Sequence, residues 1–226
     1  WISAGSYTQY AFFLMLSLWL FMKSEKNYTT IVLSVISFIV ATLSSEKSLI
    51  FPIILYVLLL TQREVKKRWT RLIPYLTVSI LWGIYFISEV QKRIVIQQTM
   101  YYQAKGFDNP LVQIPSAISS YLELFFWPDK LSLYHSELVY TPIEFGLRAL
   151  ATLAFFTLLV LSYKKSKYVF FWLMFFFISL IPTMLPLRIS WIVAERYVYF
   201  GLIGLTAVLA HYLLLLKSHI SKYVFY

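Results

Sequence analysis

The feature that most constrains this chain is a succession of long apolar stretches separated by short charged segments. A helix needs about 20 apolar residues to cross the hydrocarbon layer of a membrane, within an observed range of roughly 17 to 25. Seven stretches approach or reach that length, at residues 1–22, 28–44, 48–61, 72–88, 145–162, 168–187 and 198–216. Lipid supplies no hydrogen bonds to the backbone, and the stretches lack the polar alternation of membrane barrel strands, so each is predicted to be helical.

Composition places the chain in the same class. Hydrophobic residues make up 60% of the 226 residues and charged residues 13%, whereas about 25% of a soluble domain is charged. We therefore predict an all-α, polytopic transmembrane bundle with about seven spanning helices, forming one domain over residues 1–226. The stretch at 48–61 reaches spanning length only if Glu46 and Lys47 lie at its outer rim, with the Lys47 ammonium among the lipid headgroups.

The charges predict how the helices are oriented. Twenty basic and ten acidic side chains give a net charge of +10, and the densest basic run, from Arg63 to Arg71, is placed on the cytoplasmic side. Alternating the spans from there puts twelve basic and two acidic residues inside, and eight of each outside. We therefore expect segments 44–47, 89–144 and 188–196 on the outer face of an integral, multi-pass protein, located in the plasma membrane if the source is bacterial.

The longest segment between predicted spans is the outer loop, residues 89–144. Its one apolar stretch, residues 118–127, is about ten residues long before Pro128 ends it, which is too short to cross a membrane. We interpret this stretch as an interfacial or re-entrant helix, with Tyr121 and Trp127 at the headgroup level. Its helix-start signals are Ser116, Ser119 and Ser120. Because the aromatic residues of the loop argue against disorder, the chemistry of the protein is expected on this face.

Several classes of function are excluded or disfavoured. The sequence contains no cysteine, which excludes disulfide scaffolds, thiolate catalysis and cysteine-based metal sites. It has no Gly-rich phosphate loop, no Gly-x-Ser-x-Gly nucleophile elbow and no His-Glu-x-x-His pair. Charged residues are nearly absent from the middle of the predicted spans, which disfavours an ion or proton relay.

Glu46 lies between two closely spaced predicted spans and has two interpretations. In the first it is a helix-start carboxylate, capped by Ser44 or Ser45 and free to pair with Lys47. In the second it is an acid at the membrane surface that positions a substrate or a metal.

A second group of candidates precedes the last predicted span. Its members are Arg188, Glu195, Arg196 and Tyr197. A guanidinium at this depth can bind a phosphate through two parallel hydrogen bonds, which a lysine does less well. Anchoring on ordinary phospholipid is the alternative, and it fits Arg188 better than Arg196, which stands beside an acid and two tyrosines.

The outer loop carries a third pair of candidates, His135 and Glu137. A histidine with nearby carboxylates can form a metal site or a general base. Ordinary loop polarity is the alternative, and since the His-Glu spacing matches no recognised ligand motif, we assign no metal ligand.

Four segments of the chain, taken together in their order and spacing, carry a family resemblance. They are Trp1-Ile2-Ser3-Ala4-Gly5 followed by Phe12-Phe13-Leu14, Leu43-Ser44-Ser45-Glu46 with Pro52 and Tyr56, Tyr121-Leu122 with Trp127-Pro128, and Ala194-Glu195-Arg196 with Tyr199. They resemble motifs of the membrane part of GT-C superfamily glycosyltransferases, in particular the O-mannosyltransferases that carry tetratricopeptide repeats and their bacterial relatives. Ser45 stands where that family usually has a lysine.

The resemblance implies a GT-C-like fold and the transfer of a sugar from a polyprenyl-phosphate carrier to an acceptor hydroxyl on the outer face, as in protein glycosylation. It implies that Arg196 holds the carrier phosphate, that Glu195 orients Arg196, and that Glu46 lies at the mouth of the site. The family's catalytic acid precedes the segment that Trp1 opens, so we expect an N-terminally truncated chain whose catalytic residue lies upstream. The partners implied are membrane lipid, the lipid-linked sugar donor, an acceptor protein or glycan, and a soluble repeat domain after Tyr226; a divalent metal is compatible with the resemblance, and no nucleic acid is expected.

Two other functions are compatible with the same residues. A transporter or flippase-like bundle for a lipid-linked substrate would use the same outer-face arginine without a catalytic acid. A non-catalytic membrane module would anchor a soluble repeat domain. An acid-bearing outer loop upstream of Trp1 would favour the enzyme.

Overall fold

A computed structural model describes residues 5–24, 27–100, 110–129, 140–184 and 193–224, and all the regular structure in them is helical. The α-helices are α1 (Gly5–Lys23), α2 (Tyr28–Ser44), α3 (Phe51–Gln62), α4 (Val65–Arg68), α5 (Ile73–Met100), α6 (Pro110–Phe126), α7 (Pro142–Lys165), α8 (Lys167–Met184) and α9 (Glu195–Val224). Two 3₁₀ segments, Glu46–Ile50 and Trp69–Leu72, lead into α3 and α5. The predicted all-α class is confirmed for the described residues.

Within these residues, four helical segments are long and apolar enough to cross a membrane. They are Val65–Glu89, Pro142–Lys165, Lys167–Met184 and Glu195–Lys217. Helices also occupy the other three predicted stretches, but α2 has 17 residues and α3 has 12, and the first turns of α1 are polar. Length and composition therefore identify four spans, where the sequence predicted about seven.

Helix α8 is the centre of the bundle, with α3, α6, α7 and α9 packed against it, and α5, α7 and α9 have apolar side chains facing outward. Fifty-six per cent of the apolar window of α8 is buried, against 11% for Val65–Glu89 and 22% for α7. The outward faces carry large exposed apolar residues such as Ile80, Leu81, Leu150 and Leu153. Exposed apolar surface of this extent is typical of contact with lipid.

Two glycines let α9 approach α8 closely. A Cβ at Gly201 would collide with the Ser179 hydroxyl, and one at Gly204 would lie 2.5 Å from the backbone oxygen of Trp172. Small residues at a helix interface allow the two helices to pack closely. In a membrane the hydrophobic effect does not drive helices together, so their association depends on such packing. The position of α9, and of the residues in its first turn, therefore depends on these glycines.

An arginine clamp, defined as Arg68 and Arg71, ties the basic run to the end of α1. Arg68 Nη2 donates to the carbonyl oxygen of Phe21 at 3.2 Å, and its Nη1 donates to Glu64 Oε2 at 3.0 Å. Arg71 Nη1 donates to the carbonyl oxygen of Ser24 at 2.9 Å. The last carbonyls of a helix lack partners within it, so these guanidiniums cap α1 in addition to marking the predicted cytoplasmic side.

The predicted outer loop contains more helix than expected. Helix α5 runs twelve residues beyond the predicted span end at 88, and α7 begins at Pro142 inside the predicted loop. The predicted short helix at 118–127 is in fact α6, which begins eight residues earlier, with proline at its first position as helix starts favour.

The predicted helix-start role of the α6 serines is wrong. Ser116, Ser119 and Ser120 are buried inside α6, where the Ser119 and Ser120 hydroxyls accept hydrogen bonds from Arg148 Nη1 of α7 at 3.2 and 3.0 Å. Arg148 Nη2 also donates to Glu123 Oε2 at 2.8 Å. A buried hydroxyl needs a partner, and the sequence did not indicate that α7 supplies one.

Candidate anion-binding site

The site is built where the first turns of α1 and α9 meet the 3₁₀ segment Glu46–Ile50. We call it the tyrosine–cation cluster and define it as Tyr7, Lys47, Arg196 and Tyr197. The Tyr7 and Tyr197 ring centroids are 6.1 Å apart, and both rings contact both cations. Three segments that are far apart in sequence thus form one polar site at one end of an apolar bundle.

Lys47 places its ammonium against the two tyrosine rings. Its Nζ lies 3.2 Å from the Tyr197 centroid and 5.0 Å from the Tyr7 centroid. The Nζ is buried, and no hydrogen-bond acceptor among the described residues contacts it. The prediction that this ammonium lies among the lipid headgroups is therefore wrong, because the chain turns inward and the aromatic rings enclose it.

Burial changes the charge state of Lys47. Burial, opposed by the Glu46 carboxylate and assisted by the Arg196 guanidinium, lowers the pKa of Lys47 to about 7. Two tyrosine faces stabilise an ammonium by about 0.5–2 kcal/mol, whereas burying an ion without hydrogen bonds costs several kcal/mol. Desolvation therefore outweighs the ring contacts, and the amine is largely neutral just above neutral pH.

Arg196 lies in the first turn of α9 and shares both rings with Lys47. Its guanidinium carbon is 5.8 Å from the Tyr7 centroid and 5.3 Å from the Tyr197 centroid, and the guanidinium hydrogen-bonds the Tyr7 hydroxyl. Unlike the lysine it stays protonated at any accessible pH. The site therefore holds one permanent positive charge and one that depends on pH.

The structure bears out part of the first interpretation of Glu46, and the second, a role in positioning a substrate or a metal, stays a prediction. Ser45 caps the 3₁₀ segment by accepting a hydrogen bond from the Lys47 backbone N–H at 3.4 Å, and Glu46 lies in its first turn. The Glu46 side chain is exposed and acts electrostatically on Lys47. However, among the described residues no salt bridge within 4 Å joins the two side chains, because the Lys47 ammonium faces the rings. Ser44 instead donates to the Val40 carbonyl oxygen of its own helix.

Tyr121 of α6 supports the start of α9. It is fully buried, and its hydroxyl accepts a hydrogen bond from the backbone N–H of Ala194 at 3.3 Å. This N–H precedes the first helical residue, where backbone donors otherwise lack partners. Tyr121 is thus enclosed by protein, whereas Trp127 is 70% exposed, and the headgroup level predicted for both stays a prediction.

The predicted site residues fall into two groups. Glu46, Arg196 and Tyr197 come together, and Glu195 lies half-buried in the same first turn of α9, where an acid is favoured by the helix dipole. Arg188, His135 and Glu137 lie outside the described residues. The roles assigned to them, and the orienting role of Glu195, stay predictions.

Sequence reasoning missed Lys47 and Tyr7 as parts of the site. Tyr7 and Tyr10 lie three residues apart, so they share one face of α1, and their ring centroids are 5.9 Å apart. The pair of tyrosines on one face of α1 was the available signal. No comparable signal showed that Lys47 turns inward, since a lysine at this depth usually extends to the headgroups.

The part of the chain that the structure describes contains no group of three or more His, Asp or Glu side chains able to hold a metal ion. Glu46 and Glu195 are the acids nearest the cluster in sequence.

Comparisons with protein-family models, with curated proteins and with solved structures find no match to this chain. The tyrosine–cation cluster is thus interpreted from its own chemistry. Two cations and two aromatic faces at a helix N-terminus form an environment suited to a phosphate group.

Proposed function

We propose that this chain is the membrane part of a glycosyltransferase that moves a sugar from a polyprenyl-phosphate carrier to an acceptor hydroxyl at the outer face. The observation that carries the proposal is the meeting of Arg196 with Lys47 and Glu46 at one end of the bundle. A phosphate leaving group needs its developing charge stabilised, and a fixed guanidinium in a low-dielectric site does this well.

The position of Arg196 adds to the electrostatic support. It lies in the first turn of α9, a 30-residue helix, and the N-terminus of a helix carries a partial positive charge of roughly half a unit. The tyrosine hydroxyl that contacts Arg196 holds the guanidinium in place. Both effects favour an anion that enters from the headgroup level.

The fold proposed with this function is GT-C-like, with seven crossings in the plasma membrane if the source is bacterial. Helices α1 and α2, and α3 extended by residues 48–50, would supply the three crossings beyond the four that length and composition identify, and Lys47 would lie just outside them. This arrangement places the tyrosine–cation cluster outside and the arginine clamp inside, in agreement with the distribution of basic residues.

The reaction assigns a defined part to each group. The bond between the sugar C1 and the phosphate oxygen breaks, its electrons stay on the phosphate held by Arg196, and the acceptor oxygen forms the new bond to C1. The acceptor proton passes to a carboxylate that the family resemblance places upstream of Trp1. Glu46, which is exposed at the mouth of the site, would contact the sugar or the acceptor.

The direct test is sugar transfer by purified full-length protein from a radiolabelled polyprenyl-phosphate sugar. Arg196→Gln removes the charge and should lower the transfer rate about 100-fold, since losing one preorganised donor to a developing oxyanion costs a factor of about 10² to 10³. Arg63→Gln is the matched control, because Arg63 is exposed at the opposite end, and it should transfer at the wild-type rate.

Two results would overturn the proposal. Transfer by a folded Arg196→Gln variant at the wild-type rate would remove the phosphate role of this residue. Movement of the lipid across liposome membranes without any sugar transfer would identify a flippase-like function in place of the enzyme.

A further inference from the structure

Lys47 is held in a state that is costly for an ammonium. Its Nζ is buried against the rings of Tyr7 and Tyr197 and has no hydrogen-bond acceptor among the described residues. The Arg196 guanidinium lies on the same two rings and repels a second positive charge. A neutral amine avoids both penalties, whereas a charged one would gain from an anion placed beside it.

The surroundings of Lys47 contain one stabilising charge. The titratable and charged side chains in and next to the tyrosine–cation cluster are Glu46, Tyr7, Tyr10, Tyr121, Glu195, Arg196 and Tyr197. Glu46 favours the ammonium and Arg196 opposes it, and these two are the groups that act on Lys47 electrostatically. Helices α2, α3, α5 and α8 also pack against the 3₁₀ segment, but among their described side chains no charge acts on Lys47.

A phosphate bound by Arg196 would reverse this balance. It brings a negative charge and hydrogen-bond acceptors to the rings that Lys47 also contacts. Attraction between opposite charges a few ångströms apart favours the protonated amine, and the phosphate oxygens would supply the acceptors that the ammonium lacks. Binding would then place two cations on one anion.

We propose that Lys47 is a second phosphate-binding residue and that it takes up a proton when a phosphate headgroup binds beside Arg196. The inference rests on the proposed function for the identity of the ligand. It adds that binding of this ligand is coupled to proton uptake by the protein. The proton comes from solvent and stays on Nζ while the ligand is bound, and no covalent bond changes. An ordinary phospholipid and a polyprenyl-phosphate carrier share this phosphate chemistry.

The pKa of Lys47 in the site without ligand determines how the affinity for the phosphate changes with pH. Because the pKa of Lys47 is about 7 in the free site and rises when the anion binds, the lysine is already protonated in both states well below pH 7. Affinity is therefore highest there and falls as the pH rises above 7. Between pH 6.5 and 8.5 we expect a loss of about tenfold, the factor that corresponds to one unit of pKa.

The test uses a ligand whose own charge is constant. Citronellyl methyl phosphate, a short isoprenoid phosphodiester, keeps one negative charge across this pH range. Its binding to the detergent-solubilised full-length protein is measured by titration calorimetry at pH 8 in two buffers with different ionisation enthalpies. With a rise of about one unit in the pKa, wild-type protein should take up about half a proton per ligand, a readout that requires no variant.

Variants then assign the proton to Lys47. Lys47→Met should abolish proton uptake and bind about tenfold more weakly at pH 6.5, whereas Lys47→Arg should bind without proton uptake because a guanidinium stays charged. Lys167→Met is the matched control, since Lys167 also lies over a tyrosine ring, 3.3 Å from the Tyr163 centroid, but at the opposite end of α8. It should match the wild-type protein in affinity and proton uptake.

The outcomes separate the inference from the proposed function. Binding that depends on Arg196 but takes up no proton would overturn the inference and leave the proposed function standing. No binding of the phosphodiester at either pH would overturn both. Proton-coupled binding of micellar phosphatidylglycerol with equal affinity would support the inference and count against a dedicated polyprenyl carrier.

Discussion

The two ends of the bundle use their positive charges differently. At the arginine clamp, Arg68 is 4% exposed and is engaged by the Phe21 carbonyl and by Glu64. At the tyrosine–cation cluster, Lys47 is enclosed by rings, and no acceptor in the described residues contacts its Nζ. A buried cation with protein acceptors contributes to the fold, whereas one that lacks them is available to a ligand.

The difference shows why basic residues in a membrane protein cannot be interpreted by position alone. The sequence predicted both ends to lie outside the apolar layer because both carry charges. Only the contacts distinguish a cation that caps a helix from one that faces a site. Three substitutions test this contrast, together with the two experiments above.

The largest effect is expected from Arg68→Met. This change leaves the Phe21 carbonyl without its donor and Glu64 without its partner, so the free energy of unfolding should fall by about 3 kcal/mol. Thermal unfolding in detergent provides the measurement. Lys66→Met is the control, because Lys66 is exposed in the same turn, and it should leave the midpoint unchanged. An unchanged midpoint for Arg68→Met would show that the clamp does not stabilise the fold.

A smaller effect is expected from Gly204→Ala, which tests whether the tyrosine–cation cluster depends on the packing of α9. The added Cβ would meet the Trp172 backbone oxygen at 2.5 Å, so α9 must move away from α8, and overpacking of this kind costs about 1–3 kcal/mol. Since α9 carries Arg196, affinity for the phosphodiester should fall as well.

Gly83→Ala is the matched control for that substitution. A Cβ at Gly83 has no atom within 4 Å, and alanine is the better helix former by about 1 kcal/mol, so this variant should be as stable as the wild type or more stable. Equal stability of Gly204→Ala and Gly83→Ala would show that the close approach of α8 and α9 is not needed.

The lengths of the apolar stretches predicted the helices well, because a backbone in contact with lipid must form its own hydrogen bonds and a helix does so within one segment. Helices occupy the described part of each of the seven predicted stretches, and the proline before Leu111 explains where α6 begins. Boundaries at the outer face were predicted less well, since α5 continues to Met100 through a segment rich in charged and amide side chains. There the helix is not specified by hydropathy, which was the signal used.

The site was predicted in part for a related reason. Glu46, Arg196 and Tyr197 were identified because acids and guanidiniums are rare at this depth. Lys47 was assigned to the headgroups, and Tyr7 was not singled out, because their roles depend on contacts between segments distant in sequence. No periodicity or spacing within one segment encodes such contacts.

The smallest effect on stability is expected from Lys47→Met, the same kind of change as Arg68→Met at the other end. Replacing a buried cation by a residue of similar volume is often neutral or stabilising, so at pH 7 the free energy of unfolding should stay within about 0.5 kcal/mol of the wild type or rise. The pKa of Lys47 is about 7 in the folded protein, against an ordinary value of 10.5. Between these two pH values the unfolded chain binds more protons than the folded protein. The stability of the wild type therefore increases with pH in this range.

The Lys47→Met variant should lack that increase, so its unfolding midpoint should fall relative to that of the wild type as the pH is raised from 7 to 10. Lys167→Met, at the opposite end, should follow the wild type throughout. A loss of stability at pH 7 as large as that of Arg68→Met would mean that Lys47 holds the fold together in the same way as the clamp. The distinction between a structural cation and a ligand-binding one would then fail.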